Sequence, residues 1–232
     1  MHIPDGFINA GTSLGAAAAA ATGLGVAVRK TSAYLEDRQV PLAGLVAAYV
    51  FAVQMLNFPV VGGTSGHLLG GVLAAVLVGP WAGAICVAVV LLVQALFADG
   101  GITALGLNIL NMAIVGSFGG YLLFAGLRRV LPRTVGGVTL AAGVAAGLSV
   151  VAAAAAFTIE YAIGGAGGAP IGTVAAAVVG VHSLIGVGEA LITGATVGMV
   201  LKVRPDLVYG DARGLAPEPL LRRGLQSEGA GS

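Results

Sequence analysis

The chain has 232 residues, of which 57% are hydrophobic and only 9% are charged, and its formal net charge is +1. Because soluble domains carry about 25% charged residues, so few charges could not cover the surface of a soluble fold of this size. The composition predicts an integral membrane protein, and the balanced charge gives no indication of nucleic-acid binding.

Apolar segments long enough to cross the bilayer follow one another along the chain. A span of about 20 residues crosses the roughly 30 Å hydrocarbon core as a helix. The segments are 8–28, 42–58, 66–78, 81–97, 102–127, 136–163 and 174–201. They predict an all-α, polytopic membrane protein with about seven transmembrane helices in a single domain, 1–201. The third segment is short and glycine-rich, so we expect it to be half-buried or broken. The polar tail 202–232 is expected to be exposed, partly disordered and cytoplasmic.

The basic residues predict the orientation of the chain. All eleven Lys and Arg residues follow the first, fifth or seventh segment, and the loops 59–65, 98–101 and 164–173 have none. By the positive-inside rule, the N-terminus is outside and the C-terminus is cytoplasmic. No basic region precedes the first segment, so we expect it not to be a cleaved signal peptide. We also expect Met1 to be retained, since His2 is bulky.

The chain begins Met1-His2, and the second residue is one of only three histidines. The Met1 amine, the deprotonated His2 amide and His2 Nδ1 can bind one metal ion through fused five- and six-membered rings. These nitrogens lie nearly in one plane because the peptide is planar. Square-planar nitrogen sites favour Ni(II) or Cu(II). The opening dipeptide therefore predicts three of the four nitrogen ligands of a square-planar metal site.

Two histidines could supply the fourth nitrogen. His67 lies in GGTSGHLLGG and His182 in VHSLIGVGEALIT, both near the predicted outer ends of their segments. Either could instead be a hydrogen-bonded structural residue.

Glu189 could pair with His182 or make a separate buried polar contact, and we favour the second interpretation. Groups that orient metal-binding histidines are expected nearby, and the candidates are Thr64, Ser65 and Asn108.

Four stretches carry a family resemblance. They are MHIPDGFI, AVQMLNFPVVGGTSGHLLGGVLAAVLVGPW, ADGGITALGLNILNMAIVG and HSLIGVGEALIT, within residues 1–9, 52–116 and 182–193. They resemble the nickel/cobalt substrate-binding components of energy-coupling-factor transporters, the CbiM/NikM family. The resemblance implies that Met1, His2 and His67 hold the metal. It implies Ni(II) or Co(II) as the transported substrate and no organic cofactor, and the opening MHIPDG favours nickel.

The resemblance also implies partners in a prokaryotic cell membrane. These are a transmembrane coupling subunit, ATP-binding cassette ATPase subunits and, in some systems, a small accessory membrane subunit. The chain has no GxxxxGK[ST] motif, so the ATPase would be another subunit and this chain a non-catalytic one. We expect the chain to be too short to include the accessory subunit as a fusion.

Two other functions fit parts of the sequence. Residues 63–66 read GTSG, and an intramembrane serine protease of the rhomboid type would pair Ser65 with His182. That interpretation leaves Met1 and His2 without a role. A self-sufficient secondary metal transporter is the other alternative, but no clear internal repeat is visible. We favour the substrate-capture subunit over both.

Overall fold

The computed structural model describes residues 1–60 and 64–211, which form a helical bundle with one small hairpin. The helices are α1 (Ala10–Thr31), α2 (Val40–Gln54), α3 (Gly71–Val78), α4 (Pro80–Leu96), α5 (Leu105–Val130), α6 (Val135–Gly164) and α7 (Ile171–Val203). The hairpin pairs β1 (Asn57–Pro59) with β2 (Ser65–His67), antiparallel and with Asn57 opposite His67. Single turns of 3-10 helix occur at Asp37–Gln39, Pro205–Leu207 and Tyr209–Asp211.

The predicted apolar segments correspond to these helices, but not all of them are long. Within the described residues, α1, α5, α6 and α7 are long and apolar enough to cross a membrane, whereas α2 and α4 are shorter apolar helices. Every residue of α3 is buried inside the bundle. The fold is therefore a polytopic helical membrane fold, and the predicted third segment is irregular over its first residues before it forms the short buried helix α3.

The region between α2 and α3 differs from the prediction. The second segment was expected to be helical to residue 58, and the third from residue 66, but the chain forms the hairpin there instead. Gly70 ends the irregular stretch with φ of +69°, a left-handed conformation that glycine adopts without strain. All three residues of β1 are exposed, whereas Gly66 and His67 of β2 are buried, so only the second strand is covered by protein groups.

Helices α6 and α7 form the most extensive helix–helix contact among the described residues. A Cβ added to Gly147 would lie 2.8 Å from the Gly186 carbonyl oxygen, and the reverse substitution meets the same distance. Small residues at such crossings let membrane helices approach closely, so that backbone contacts replace side-chain contacts. The glycines and alanines of α6 are thus used for packing within this chain.

One end of the bundle, the site end, consists of residues 1–9, 55–60, 64–70, 97–104 and 164–170. Backbone hydrogen bonds join these segments: Asn9 N–H donates to Gly164 O at 2.7 Å, and Gly101 N–H donates to Ile3 O at 2.9 Å. Helices α1, α5 and α7 run away from this end, and each has Lys or Arg in its last turn. The opposite end is called the basic end and consists of residues 28–39, 127–134 and 202–211.

The first part of the tail packs against the bundle, contrary to the expectation of an exposed tail. Val208 and Asp211 are buried, and Arg128 Nη2 lies 3.6 Å from Asp211 Oδ1. The tail turns back because Val208 buries an apolar side chain and the Asp211 carboxylate meets a cation. The predicted disorder of the remaining tail concerns residues 212–232, which lie outside the described residues.

Candidate metal centre

The N-terminal segment is folded into the site end. Met1 is 1% exposed and His2 is 3% exposed. The Asn108 side chain makes two hydrogen bonds with the backbone of Ile3, the residue after His2. Ile3 N–H donates to Asn108 Oδ1 at 2.8 Å, and Asn108 Nδ2 donates to Ile3 O at 3.2 Å. The amine and imidazole nitrogens are therefore held at defined positions inside the protein.

Burial changes the protonation of the first two residues. Loss of hydration lowers the pKa of the Met1 amine well below its ordinary value, although the Asp99 carboxylate acts in the opposite direction. Loss of hydration, followed by the nearby amine, lowers the pKa of the His2 imidazole. Both effects follow from the cost of placing a positive charge out of water. At neutral pH these nitrogens are unprotonated donors, the form that a metal ion requires.

His67 is the side chain stacked on His2. The two ring centroids are 4.4 Å apart and the ring planes differ by 29°. His67 Nδ1 lies 2.7 Å from Leu68 O. A carbonyl oxygen only accepts, so Nδ1 carries the proton and Nε2 keeps its lone pair. Within the described part of the chain, His67 Nε2 is buried and has no hydrogen-bond partner.

A buried carboxylate holds the segment that follows His67. Glu189 accepts hydrogen bonds from Leu69 N–H at 2.9 Å and from Gly70 N–H at 2.7 Å. Gln54 Nε2 donates to Leu69 O at 2.7 Å. The interpretation of Glu189 as a separate buried polar contact is thus confirmed. Helices α2 and α7 together determine where residues 67–70 lie.

The three predicted orienting residues have different surroundings. Asn108 contacts the backbone of Ile3, next to the chelating dipeptide. Thr64 is buried, and its carbonyl accepts from Val60 N–H at 2.9 Å. Ser65 lines a cavity together with His2, and its buried Oγ has no hydrogen-bond partner among the described residues. Their part in orienting the ligands remains a prediction.

His182 is chemically similar to His67 but is placed differently. It is 1% exposed on α7, and its Nδ1 lies 2.7 Å from Val178 O, which leaves Nε2 with a lone pair. That Nε2 is also buried without a hydrogen-bond partner in the described part of the chain. The ring stacked on His2 belongs to His67, so proximity to the chelating dipeptide favours His67. Ser65 and His182 are not hydrogen-bonded as a nucleophile and base.

Asp99 and Gly100 are site residues that the sequence did not single out. Asp99 Oδ2 lies 3.5 Å from His2 Nε2. Gly100 has φ of +96°, and a Cβ there would lie 2.9 Å from His2 Nδ1. The stretch ADGG after an apolar segment indicates a turn, but its spacing does not reveal which loop lies over His2. Only the tertiary fold brings 97–104 to the N-terminus.

The candidate centre differs from a site made of side chains alone. Within residues 1–60 and 64–211, no group of three or more His, Cys, Asp or Glu side chains could hold a metal ion. The donor set at Met1, His2 and His67 includes the terminal amine and a backbone amide. Nitrogen donors of this kind suit metal ions that prefer square-planar coordination, such as Ni(II).

Comparisons with known proteins give a family model and relatives that match most of the chain. Residues 2–207 match the family model CbiM, described as the cobalt uptake substrate-specific transmembrane region. The chain is 36% identical over 236 residues to the fused nickel transport protein NikMN of Rhodobacter capsulatus, covering 96% of this chain and 68% of that protein. It is 34% identical over 216 residues to the cobalt transport protein CbiM of Geobacter sulfurreducens, covering 90% of this chain and 61% of that protein.

A solved structure shows the same fold. The crystal structure of a transition metal transporter superposes with a TM-score of 0.82 at 30% identity, covering 98% of this chain and 99% of that one. The rhomboid-type alternative is not favoured, since these relatives are named as transport proteins. The chain is a multi-pass membrane protein that belongs to the CbiM family, which includes proteins of nickel and cobalt transport.

Proposed function

We propose that this chain is the substrate-capture subunit of an ATP-driven nickel/cobalt importer. It binds one divalent ion in a square-planar site formed by the Met1 amine, the His2 amide and imidazole, and His67 Nε2. The observation that carries the proposal is the buried His67 Nε2, a nitrogen lone pair without a partner on a ring stacked on His2. An unpaired buried polar group costs about 1–3 kcal/mol, and a bound metal ion would remove that cost.

Each donor has a distinct part in binding. The lowered pKa values of the Met1 amine and the His2 imidazole leave both nitrogens free to bind at neutral pH. The His2 amide must lose its proton, so binding releases about one proton per metal and weakens as pH falls. Leu68 O keeps the proton of His67 on Nδ1, which leaves Nε2 for the metal.

The metal is the cargo and is nickel or cobalt. Relatives carry both names, one a fused nickel transport protein and one a cobalt transport protein. A planar all-nitrogen donor set suits Ni(II), and in the usual order of affinities Co(II) binds more weakly than Ni(II). We therefore propose nickel as the preferred ion at equal supply.

The proposed orientation and partners complete the transport cycle. The site end lacks Lys and Arg, which supports an outer position, with the basic end in the cytoplasm. A reporter fused within 164–170 should then be external. Import would need a coupling subunit and ATP-binding subunits. The fused relative extends beyond the matched region, which supports an accessory membrane subunit as a further partner.

The decisive experiment uses a removable N-terminal extension. The untagged protein should bind one nickel ion per chain and show a low-spin square-planar absorption band. Two residues ahead of Met1 would convert its amine into a peptide nitrogen, and both binding and the band should be lost. The matched control is the same sample after a protease has cut immediately before Met1, which should restore both. Full nickel binding before cleavage would show that Met1 and His2 are not the chelator.

A further inference from the structure

A cavity of about 370 Å³ lies beside His2 at the site end. Its lining includes His2, Asp5, Ser65 and Asp99. The Asp99 side chain is 18% exposed, whereas the His2 side chain is only 4% exposed. Asp99 is therefore the more accessible of the two side chains, and its Oδ2 lies 3.5 Å from the buried imidazole.

The two carboxylates of the cavity differ in their partners. Asp5 Oδ1 accepts from Thr103 N–H at 2.7 Å and from Thr103 Oγ1 at 2.5 Å, and these bonds lower the pKa of Asp5. Asp99 has weaker contacts, with Asn57 Nδ2 at 3.4 and 3.5 Å. Asp5 is used to brace the N-terminal segment. Asp99 retains oxygen lone pairs that can bind another group.

We propose that this cavity is a capture site for the hydrated divalent cation and that Asp99 holds the ion there before it is chelated. The inference rests on the proposed function. Six waters occupy roughly 180 Å³ at about 30 Å³ each, which fits within the cavity. The site end has no Lys or Arg to oppose the attraction. Mg²⁺, a divalent cation that keeps several of its waters, is bound in proteins through one or two carboxylates, and Asp99 would act in the same way here.

Asp99 would have a second role once the metal ion is chelated, which is to balance the charge of the centre. A divalent ion with one deprotonated amide and three neutral nitrogens carries a net charge of +1. With Nδ1 on the metal, His2 Nε2 carries the imidazole proton and faces Asp99 Oδ2 at 3.5 Å. The carboxylate makes the centre neutral, and such a partner also orients a metal-bound histidine. On transfer, the ion exchanges water for four nitrogens and the amide proton leaves to solvent.

The test is the rate of nickel association, measured by stopped-flow absorption on the untagged full chain. Asp99→Asn keeps the size of the side chain and an acceptor for Asn57 but removes the charge. Association should slow by about tenfold at low salt and should depend less on ionic strength, because the attraction acts through the field of one charge. Asp99→Glu should recover most of the rate. Melting temperatures of the metal-free variants show that the fold is retained.

Asp5→Asn is the matched control, because it removes one charge from the same cavity and leaves an oxygen to accept from Thr103. Its effect on the rate should be clearly smaller than that of Asp99→Asn. Equal slowing in both variants, or no slowing in Asp99→Asn, overturns the capture site. Either result leaves the chelate intact if the wild-type protein still shows the square-planar band. Absence of that band in the wild type is the separate failure of the proposed function.

Discussion

The two ends of the bundle differ in the chemistry of their buried polar groups. Each end has a buried atom with no hydrogen-bond partner among the described residues, and at the basic end this is Thr31 Oγ1. At the basic end, the buried Asp211 carboxylate lies 3.6 Å from Arg128, and Tyr34 Oη donates to Val78 O at 3.3 Å. At the site end, Nε2 of His67 is buried with no hydrogen-bond partner among the described residues, and the same is true of Nε2 of His182 on α7. Unpaired buried groups cost stability. We therefore propose a packing end, where a carboxylate meets a cation of this chain, and a ligand end, where imidazole nitrogens would meet a metal ion.

The largest expected effect separates His67 at the site end from His182 on α7. His67→Ala removes one of four proposed donors, and nickel affinity should fall by at least about 100-fold, since even groups that only orient ligands are worth 10–100-fold. His182→Ala, the matched variant with an equally buried ring, should cost much less affinity. Isothermal titration of the untagged proteins measures both. If His182→Ala had the larger effect, the fourth ligand would be reassigned while the chelate at Met1 and His2 remained.

A single added methyl group tests how closely the loop lies over His2. The Cβ of Gly100→Ala would lie 2.9 Å from His2 Nδ1, the atom proposed to bind the metal. Gly168→Ala is the control, because its φ is +72° and nothing lies within 4 Å of its Cβ. Both variants should lose about 1 kcal/mol or more from backbone strain. Only Gly100→Ala should also lower nickel affinity, by about 30-fold, intermediate between loss of a ligand and loss of an orienting group. Equal affinities for the two variants would place His2 Nδ1 away from the metal.

Much of the fold was predictable from hydropathy alone. Long apolar segments have few alternatives to membrane-spanning helices, and the positions of α1, α5, α6 and α7 follow from that constraint. The hairpin of β1 and β2 was not predicted, because its glycine, proline and polar residues indicate a loop without revealing that two short strands pair. The position of the chain just after β2 depends on partners from distant segments, such as Glu189 and Gln54 at Leu69.

The candidate centre was predictable only in part, and for a related reason. The three donors of Met1 and His2 belong to adjacent residues, so the sequence alone determines that they can chelate one metal ion. The choice of His67 needs a contact across the fold, which chain order does not reveal. Asp99 and Gly100 were missed because their importance comes from lying over His2, 97 and 98 positions away by number. Local chemistry can be derived from sequence, whereas the surroundings of a site require the tertiary structure.

A smaller effect should follow from loosening the segment after His67. Glu189→Gln replaces one accepting oxygen by an NH₂ group, so that either Leu69 N–H or Gly70 N–H loses its acceptor. Stability should fall by about 1–3 kcal/mol, and nickel affinity by about tenfold, as for a group that orients a ligand. Glu160→Gln is the matched control, because its remaining oxygen can still accept from Asn111 Nδ2. Similar nickel affinities in the two variants would show that Glu189 only stabilises the fold.

The smallest expected effect on nickel binding comes from the basic end. Arg128→Met keeps the apolar stem of the side chain but leaves the buried Asp211 without its cation. Breaking a buried ion pair costs about 3–5 kcal/mol, so the melting temperature should fall clearly, whereas Arg129→Met at the exposed neighbouring position should change it little. Nickel affinity should stay within about a factor of two of the wild-type value in both variants, as expected for distant sites that share no partners. A large loss of nickel affinity in Arg128→Met alone would mean that the two ends are coupled. The division between a packing end and a ligand end would then be wrong, because the contact between the tail and α5 would control the metal site.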